Sequence, residues 1–126
     1  MRERPLHDPS RATAAARTAQ ADFHKQTVDE VKHAIAMHEV VVVGMGWNPH
    51  VARVRKALDE AGVPHHDLDI GNYLTGWKER LAVKLWAGWP TFPMVFVRTV
   101  LVGGATDTVR ALRDGELQIL RDGERG

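Results

Sequence analysis

The sequence predicts an α/β domain in which helices cover a four-stranded mixed sheet. Val40–Val43 is a run of four β-branched residues before Gly44, a pattern typical of a strand covered on both faces. Segments with apolar residues at helical spacing lie before and after this run. Two short apolar runs, 94–97 and 100–102, are close enough along the chain to form a hairpin.

Apolar spacing and boundary residues predict four helices, which span 18–37, 49–61, 73–87 and 107–112. The first is an extra N-terminal helix with Phe23, Val28, Val31 and Ile35 at helical spacing. Asn48-Pro49 is a favourable start for the second helix, because Asn accepts hydrogen bonds from the first free N–H groups and Pro fits the first turn. The third carries Leu74, Trp77, Leu81 and Leu85.

The strands complete the order of elements. A second strand is predicted over 63–70, and the hairpin turn falls at Arg98-Thr99. These two residues do not favour the positive φ angles of a two-residue turn, so we expect a wider one. A right-handed βαβ unit, then a helix and a ββα unit, is the plan of the thioredoxin fold.

Composition limits the possible functions. The 126 residues suit one domain, which we place at 18–126 after a flexible arm at 1–17. The net charge is +1, and there is no long apolar run or secretory signal, so we expect a cytoplasmic protein that binds neither nucleic acid nor membrane. With no cysteine, the chain's own residues form no disulfide, thiolate metal site or cysteine nucleophile.

A specific resemblance begins at Trp89-Pro-Thr-Phe-Pro93. This segment, the hairpin, Gly103-Gly104 and the terminal Asp114–Leu117 follow one another as in glutaredoxins. Over about 39–120 the chain resembles that family, most closely its monothiol branch. The resemblance implies a thioredoxin-like (glutaredoxin) fold.

The same resemblance aligns Asn48 with the family's nucleophilic cysteine. Pro49 matches the proline of the dithiol motif, His50 replaces an aromatic residue, and Met45 stands about where the family has a lysine. Disulfide exchange requires a thiolate, and iron–sulfur transfer of the glutaredoxin type requires a cysteine ligand. We therefore expect neither activity.

The resemblance also implies a ligand groove, made by Asn48, His50, Arg80, Phe92, Pro93, Thr106 and Asp107. Pro93 would be the family's cis-proline, and Phe92 would pair its backbone with an extended ligand. Arg80 would meet the glycine carboxylate of glutathione, and Thr106 with Asp107 its γ-glutamyl end. Structural interpretations remain open: Arg80 on a solvated helix face, and Asn48, Thr106 or Asp107 as helix caps.

Three functions fit these observations. The preferred one is a non-redox binding module that holds glutathione, a related small thiol or a peptide, with glutathione as the only suggested cofactor. The second is a glutathione-dependent transferase that uses His50 as the activating group. The third is a structural domain that associates with a partner protein or a second copy through the N-terminal and third helices.

Two other clusters have simpler interpretations. His65-His66-Asp67-Leu-Asp69 offers metal ligands, but side chains along one strand rarely close a coordination shell, so we expect no metal site. The aromatic residues near the third helix could form a base-stacking platform. Because the sequence has no basic patch, we expect them instead to pack in the core and at its rim. These residues are Tyr73, Trp77, Trp86 and Trp89.

Overall fold

The structure is a computed structural model that describes residues 13–15 and 24–122. Most of the arm predicted at 1–17 lies outside these residues, as does the predicted start of the first helix with Phe23. The division of the chain at residue 18 therefore stays a prediction.

Nine helices and strands follow one another within residues 24–122. In chain order they are α1 (Lys25–Met37), β1 (Val40–Gly44), α2 (Pro49–Glu60), β2 (His66–Asp69), α3 (Trp77–Ala87), β3 (Met94–Val97), β4 (Val100–Gly103), α4 (Ala105–Asp114) and α5 (Glu116–Asp122).

The four strands form one mixed sheet in the order β2-β1-β3-β4. Strand β1 pairs in parallel with β2 and antiparallel with β3, and β3 pairs antiparallel with β4. The predicted thioredoxin-like fold, with a helix before the first strand, is confirmed. Within the described residues, no helix is long and apolar enough to cross a membrane.

Alternate residues of β1 divide the core between the two faces of the sheet. Val41 and Val43 face a cluster that includes Val31 and Ile35 of α1 and Val83 of α3. The second cluster has Val40 and Val42 from β1, with Val54 and Leu58 of α2 and Leu117 of α5. Because both faces are covered, the uninterrupted β-branched run of β1 is wholly buried.

The expectation of a wide hairpin turn is wrong. Arg98 and Thr99 form a tight two-residue turn with φ angles of 49° and 70°, between the paired residues Val97 and Val100. Such a turn matches the right-handed twist of the flanking strands, so strand pairing overrides the local preference of these residues. The Arg98 N–H also donates to the carbonyl of Glu39 over 2.7 Å, which holds the turn beside β1.

The third helix starts four residues later than predicted, at Trp77. The Asn72 side-chain oxygen accepts from the N–H groups of Leu74 and Thr75 at 2.8 and 3.2 Å, which closes a turn before the helix. Gly71 has φ of +64° in this turn, where a Cβ would lie 2.3 Å from the Thr75 carbonyl oxygen. This segment therefore uses its polar groups in a compact loop.

The predicted core and rim packing is also wrong for part of the aromatic cluster. Tyr73 and Trp77 are exposed, and so are Leu81 and Leu85 on the same helix. Trp86 packs partly against the Phe96 ring, and Trp89 is half-buried against the core. The buried residues of α3 are instead Arg80, Ala82 and Val83.

Candidate functional site: a groove without a thiol

The loop between β1 and α2 places Asn48 at the start of a helix. Its side-chain oxygen accepts from the N–H groups of His50 and Val51, over 2.8 and 3.2 Å. Asn48 is thus the N-cap of α2, as the sequence predicts, and Pro49 occupies the first helical position. His50 is exposed beside it, and Met45 is buried just before it.

The segment that leads into β3 lies next to this loop. The peptide bond between Phe92 and Pro93 is in the cis form. Both residues are buried. Within residues 24–122, no backbone hydrogen bond joins Phe92 to another residue.

The glycines after β4 allow α4 to begin next to the same segment. Gly103 has φ of +127°, and a Cβ there would lie 2.6 Å from the Asp107 carboxylate, so the position requires glycine. The Gly104 N–H donates to Asp107 over 3.0 Å. The helix starts at Ala105, two residues before the predicted start, and its N-cap is Gly104. Asp107 caps the helix start from the third helical position, because its carboxylate accepts this hydrogen bond.

Arg80 has a structural role that the sequence did not predict. It is 8% exposed, which excludes a solvated helix face. Its Nη1 donates to the carbonyl of Ile70 over 2.9 Å and to that of Thr75 over 2.7 Å. The guanidinium therefore anchors the loop before α3, although it also reaches the wall of the groove.

These segments enclose an open groove of about 600 Å³ between α3 and α4. All seven residues that the resemblance suggested line it, namely Asn48, His50, Arg80, Phe92, Pro93, Thr106 and Asp107. Their role in binding stays a prediction. The groove is also lined by Tyr73, Lys84 and Trp89, which were not predicted to lie there. Lys84 lies one helical turn after Arg80, a spacing that could have identified it.

The groove carries both signs of charge. Lys84 makes no ion pair in the described part of the chain, and its Nζ lies 5.8 Å from the centre of the Phe92 ring. Asp107 stands on the opposite wall, 3.8 Å from Arg110. The arrangement suits a small zwitterionic or peptide-like molecule with a carboxylate near Lys84.

The glutaredoxin family model matches residues 40–102, which include β1, the Asn48 loop and the hairpin. The chain belongs to the glutaredoxin family. A glutaredoxin-like protein of Dictyostelium discoideum is 44% identical over 96 residues, which cover 76% of this chain and 78% of the relative. A monothiol glutaredoxin of rice is 28% identical over 105 residues, covering 82% of this chain and 64% of the rice protein.

Solved glutaredoxin structures have the same fold. The crystal structure of a mutated buckwheat glutaredoxin superposes with a TM-score of 0.71 at 22% identity, covering 81% of this chain and 93% of the other. A buckwheat glutaredoxin–glutathione complex gives 0.69 at 20% identity, covering 80% and 92%.

As a glutaredoxin-like protein, the chain lacks the reactive atom of its family. It contains no cysteine, and Asn48 stands at the position that the resemblance assigns to the nucleophile. An amide neither attacks sulfur nor ligates an iron–sulfur cluster. Its oxygen is already engaged by two helix N–H groups. This chain therefore supplies no thiol of its own for exchange at the groove.

The histidine and carboxylate cluster of this glutaredoxin-like protein serves the fold. His65 lies between two carboxylates, with Nδ1 2.6 Å from Asp67 and Nε2 2.8 Å from Asp59. Arg55 pairs with Asp67 and Asp69 at 3.3 and 2.6 Å. These contacts tie α2 to β2. Among residues 13–15 and 24–122, no group of histidine and acidic side chains is arranged to hold a metal ion.

This cluster predicts a pH dependence of stability. Burial alone would lower the pKa of His65, but the hydrogen bonds and negative charges of Asp59 and Asp67 outweigh it and raise that pKa. A pKa that is higher in the folded than in the unfolded protein stabilises the fold. This stabilisation is fully present below the unfolded pKa of about 6.5 and is lost as pH rises through the folded pKa. The measurement is the free energy of unfolding in urea, compared between wild type and His65→Gln. We expect the advantage of wild type to be larger at pH 5.5 than at pH 9, by on the order of 1 kcal/mol.

His33→Gln is the matched control, because His33 is exposed on α1 and forms no ion pair in the described part of the chain. It should change the free energy of unfolding by a similar amount at both pH values. A difference between wild type and His65→Gln that stays constant, or grows with pH, would contradict the assignment.

Proposed function

We propose that this glutaredoxin-like protein is a binding module that holds glutathione, or a peptide segment, without covalent chemistry. One observation carries the proposal: the groove is lined by all seven expected residues, while Asn48 occupies the nucleophile's position and acts as a helix cap. A groove that persists beside a missing thiol supports recognition of the ligand without exchange of its sulfur.

The contacts of the groove suggest how such a ligand would lie. An extended peptide would pair with the backbone of Phe92, which has no backbone partner in the described residues. The first N–H groups of α4, at Ala105 and Thr106, suit a carboxylate at a helix start. Lys84 would take a second carboxylate, because Nη1 of Arg80 is committed to two carbonyls. Glutathione has both carboxylates, and buckwheat glutaredoxin has been solved in complex with glutathione.

A glutathione-dependent transferase has less support. His50 is exposed beside the groove, but its ring has no hydrogen bond or ion pair within residues 24–122. A general base works best when a partner fixes its tautomer and orientation. Because the His50 ring has no such partner among these residues, the geometry of the groove supports binding better than catalysis.

Calorimetric titration with reduced glutathione and S-methylglutathione tests the proposal. We expect the two ligands to bind with affinities within about threefold, because no contact in the proposed mode uses the free thiol. Lys84→Gln should weaken both about tenfold through loss of a charge-assisted hydrogen bond.

Lys78→Gln is the matched control, since it removes the same charge from the same helix at a residue that does not line the groove. It should leave both affinities unchanged. No heat of binding with either ligand at millimolar concentration would refute the glutathione form of the proposal.

A further inference from the structure

The outer face of α3 carries an apolar stripe. Trp77, Leu81 and Leu85 are 60%, 38% and 53% exposed. Their four-residue spacing places them on one face of the helix over about 12 Å. Single exposed apolar residues are ordinary, whereas a continuous row of large ones marks an interaction surface.

The fold does not need this stripe for its own core. The residues of α3 that face the interior of the protein are Arg80, Ala82 and Val83, all of them buried. Glu79 points towards α1, with its carboxylate 3.8 Å from the His24 ring. The stripe is therefore additional to the contacts that hold α3 on the sheet.

Lysines flank the stripe on both sides. At about 100° per residue, Lys78 falls beyond one edge of the stripe and Lys84 beyond the other. Lys78 Nζ lies 5.6 Å from the centre of the Trp77 ring, so its charge is next to the apolar surface. Neither lysine makes an ion pair with a described residue. The surface thus combines an apolar centre with positive edges.

We propose that this stripe docks an amphipathic helix of a partner protein, whose apolar face is bordered by Asp or Glu. Charge complementarity argues for this occupant, because an acidic border would meet Lys78, whose Nζ lies beside the Trp77 ring. A second copy of the chain fits less well, since a two-fold contact would place lysines of one copy near those of the other.

The proposal is tested with two synthetic helical peptides of equal length and equal leucine spacing, one with Glu borders and one with Lys borders. Binding to the full chain is followed by fluorescence anisotropy. We expect the Glu peptide to bind at least about tenfold more tightly than the Lys peptide, with an affinity that falls as salt is raised.

Leu81→Ala should weaken the Glu peptide about tenfold or more, as truncation of a central interface residue commonly does. Ile119→Ala is the matched control, because Ile119 is 72% exposed on α5. It should leave the affinity unchanged. Circular dichroism of both variants checks that the fold is retained.

Three results would overturn the proposal. They are equal or absent binding of the two peptides, binding of anionic phospholipid vesicles but not of the Glu peptide, and a concentration-dependent dimer that Leu81→Ala disrupts. Leu81 does not line the groove, so glutathione titrations of Leu81→Ala keep this test separate from that of the proposed function.

Discussion

Replacing Asn48 by Cys is expected to give the protein glutathione-dependent reduction of a mixed disulfide. Wild type has no thiol, so its rate should equal the uncatalysed background. The new side chain would lie at the N-cap of α2, where the helix dipole favours a thiolate. If the groove orients glutathione, the rate should rise on the order of a hundredfold above background, measured as deglutathionylation of a peptide.

Two controls separate the thiol from its position. Asn48→Ser keeps a capping side chain without a thiol and should remain inactive. Ala52→Cys places a thiol on the exposed side of the same helix, outside the groove, and should give at most a small rate. Equal rates for Asn48→Cys and Ala52→Cys would show that the groove does not direct glutathione to Asn48.

Replacing Arg80 by Met is expected to destabilise the fold by about 3 kcal/mol, because the carbonyls of Ile70 and Thr75 lose charged donors. Met retains most of the apolar stem, so the loss reflects mainly the hydrogen bonds. The measurement is the free energy of unfolding in urea. The loop at 71–76 should also exchange its amide hydrogens faster, since Arg80 holds it.

Lys78→Met is the control for Arg80→Met, and should change stability by less than about 0.5 kcal/mol because Lys78 is exposed. Arg80→Lys should be intermediate, since an ammonium keeps the charge but lacks the planar fork. Unchanged stability in Arg80→Met, together with lost glutathione affinity, would make Arg80 a ligand contact and not a loop anchor.

Local signals predicted much of the fold. The β-branched run of β1 is typical of a strand covered on both faces, and the structure forms that strand. Asn48 was identifiable as a cap because its hydrogen bonds reach only His50 and Val51, two and three residues away. The groove residues came from the resemblance, since no spacing relates Asn48 to Pro93 or Asp107.

The wrong expectations depended on contacts with residues outside the segment concerned. The Arg98-Thr99 turn is tight because Val97 and Val100 pair across the hairpin, which outweighs the preferences of the turn residues. Arg80 is buried because Ile70 and Thr75 turn their carbonyls towards it. A sequence pattern gives the spacing of charged residues on a helix, but not which of them a neighbouring loop will cover.

The proposed function requires that a glutaredoxin groove without a thiol still binds a small ligand. It is tested most directly by titrating reduced glutathione into the unmodified protein and following backbone amide shifts by two-dimensional NMR. We expect saturable shifts at Asn48, His50, Phe92, Thr106 and Asp107, all of which line the groove. The absence of shifts at these residues, or shifts confined to another surface, would contradict it.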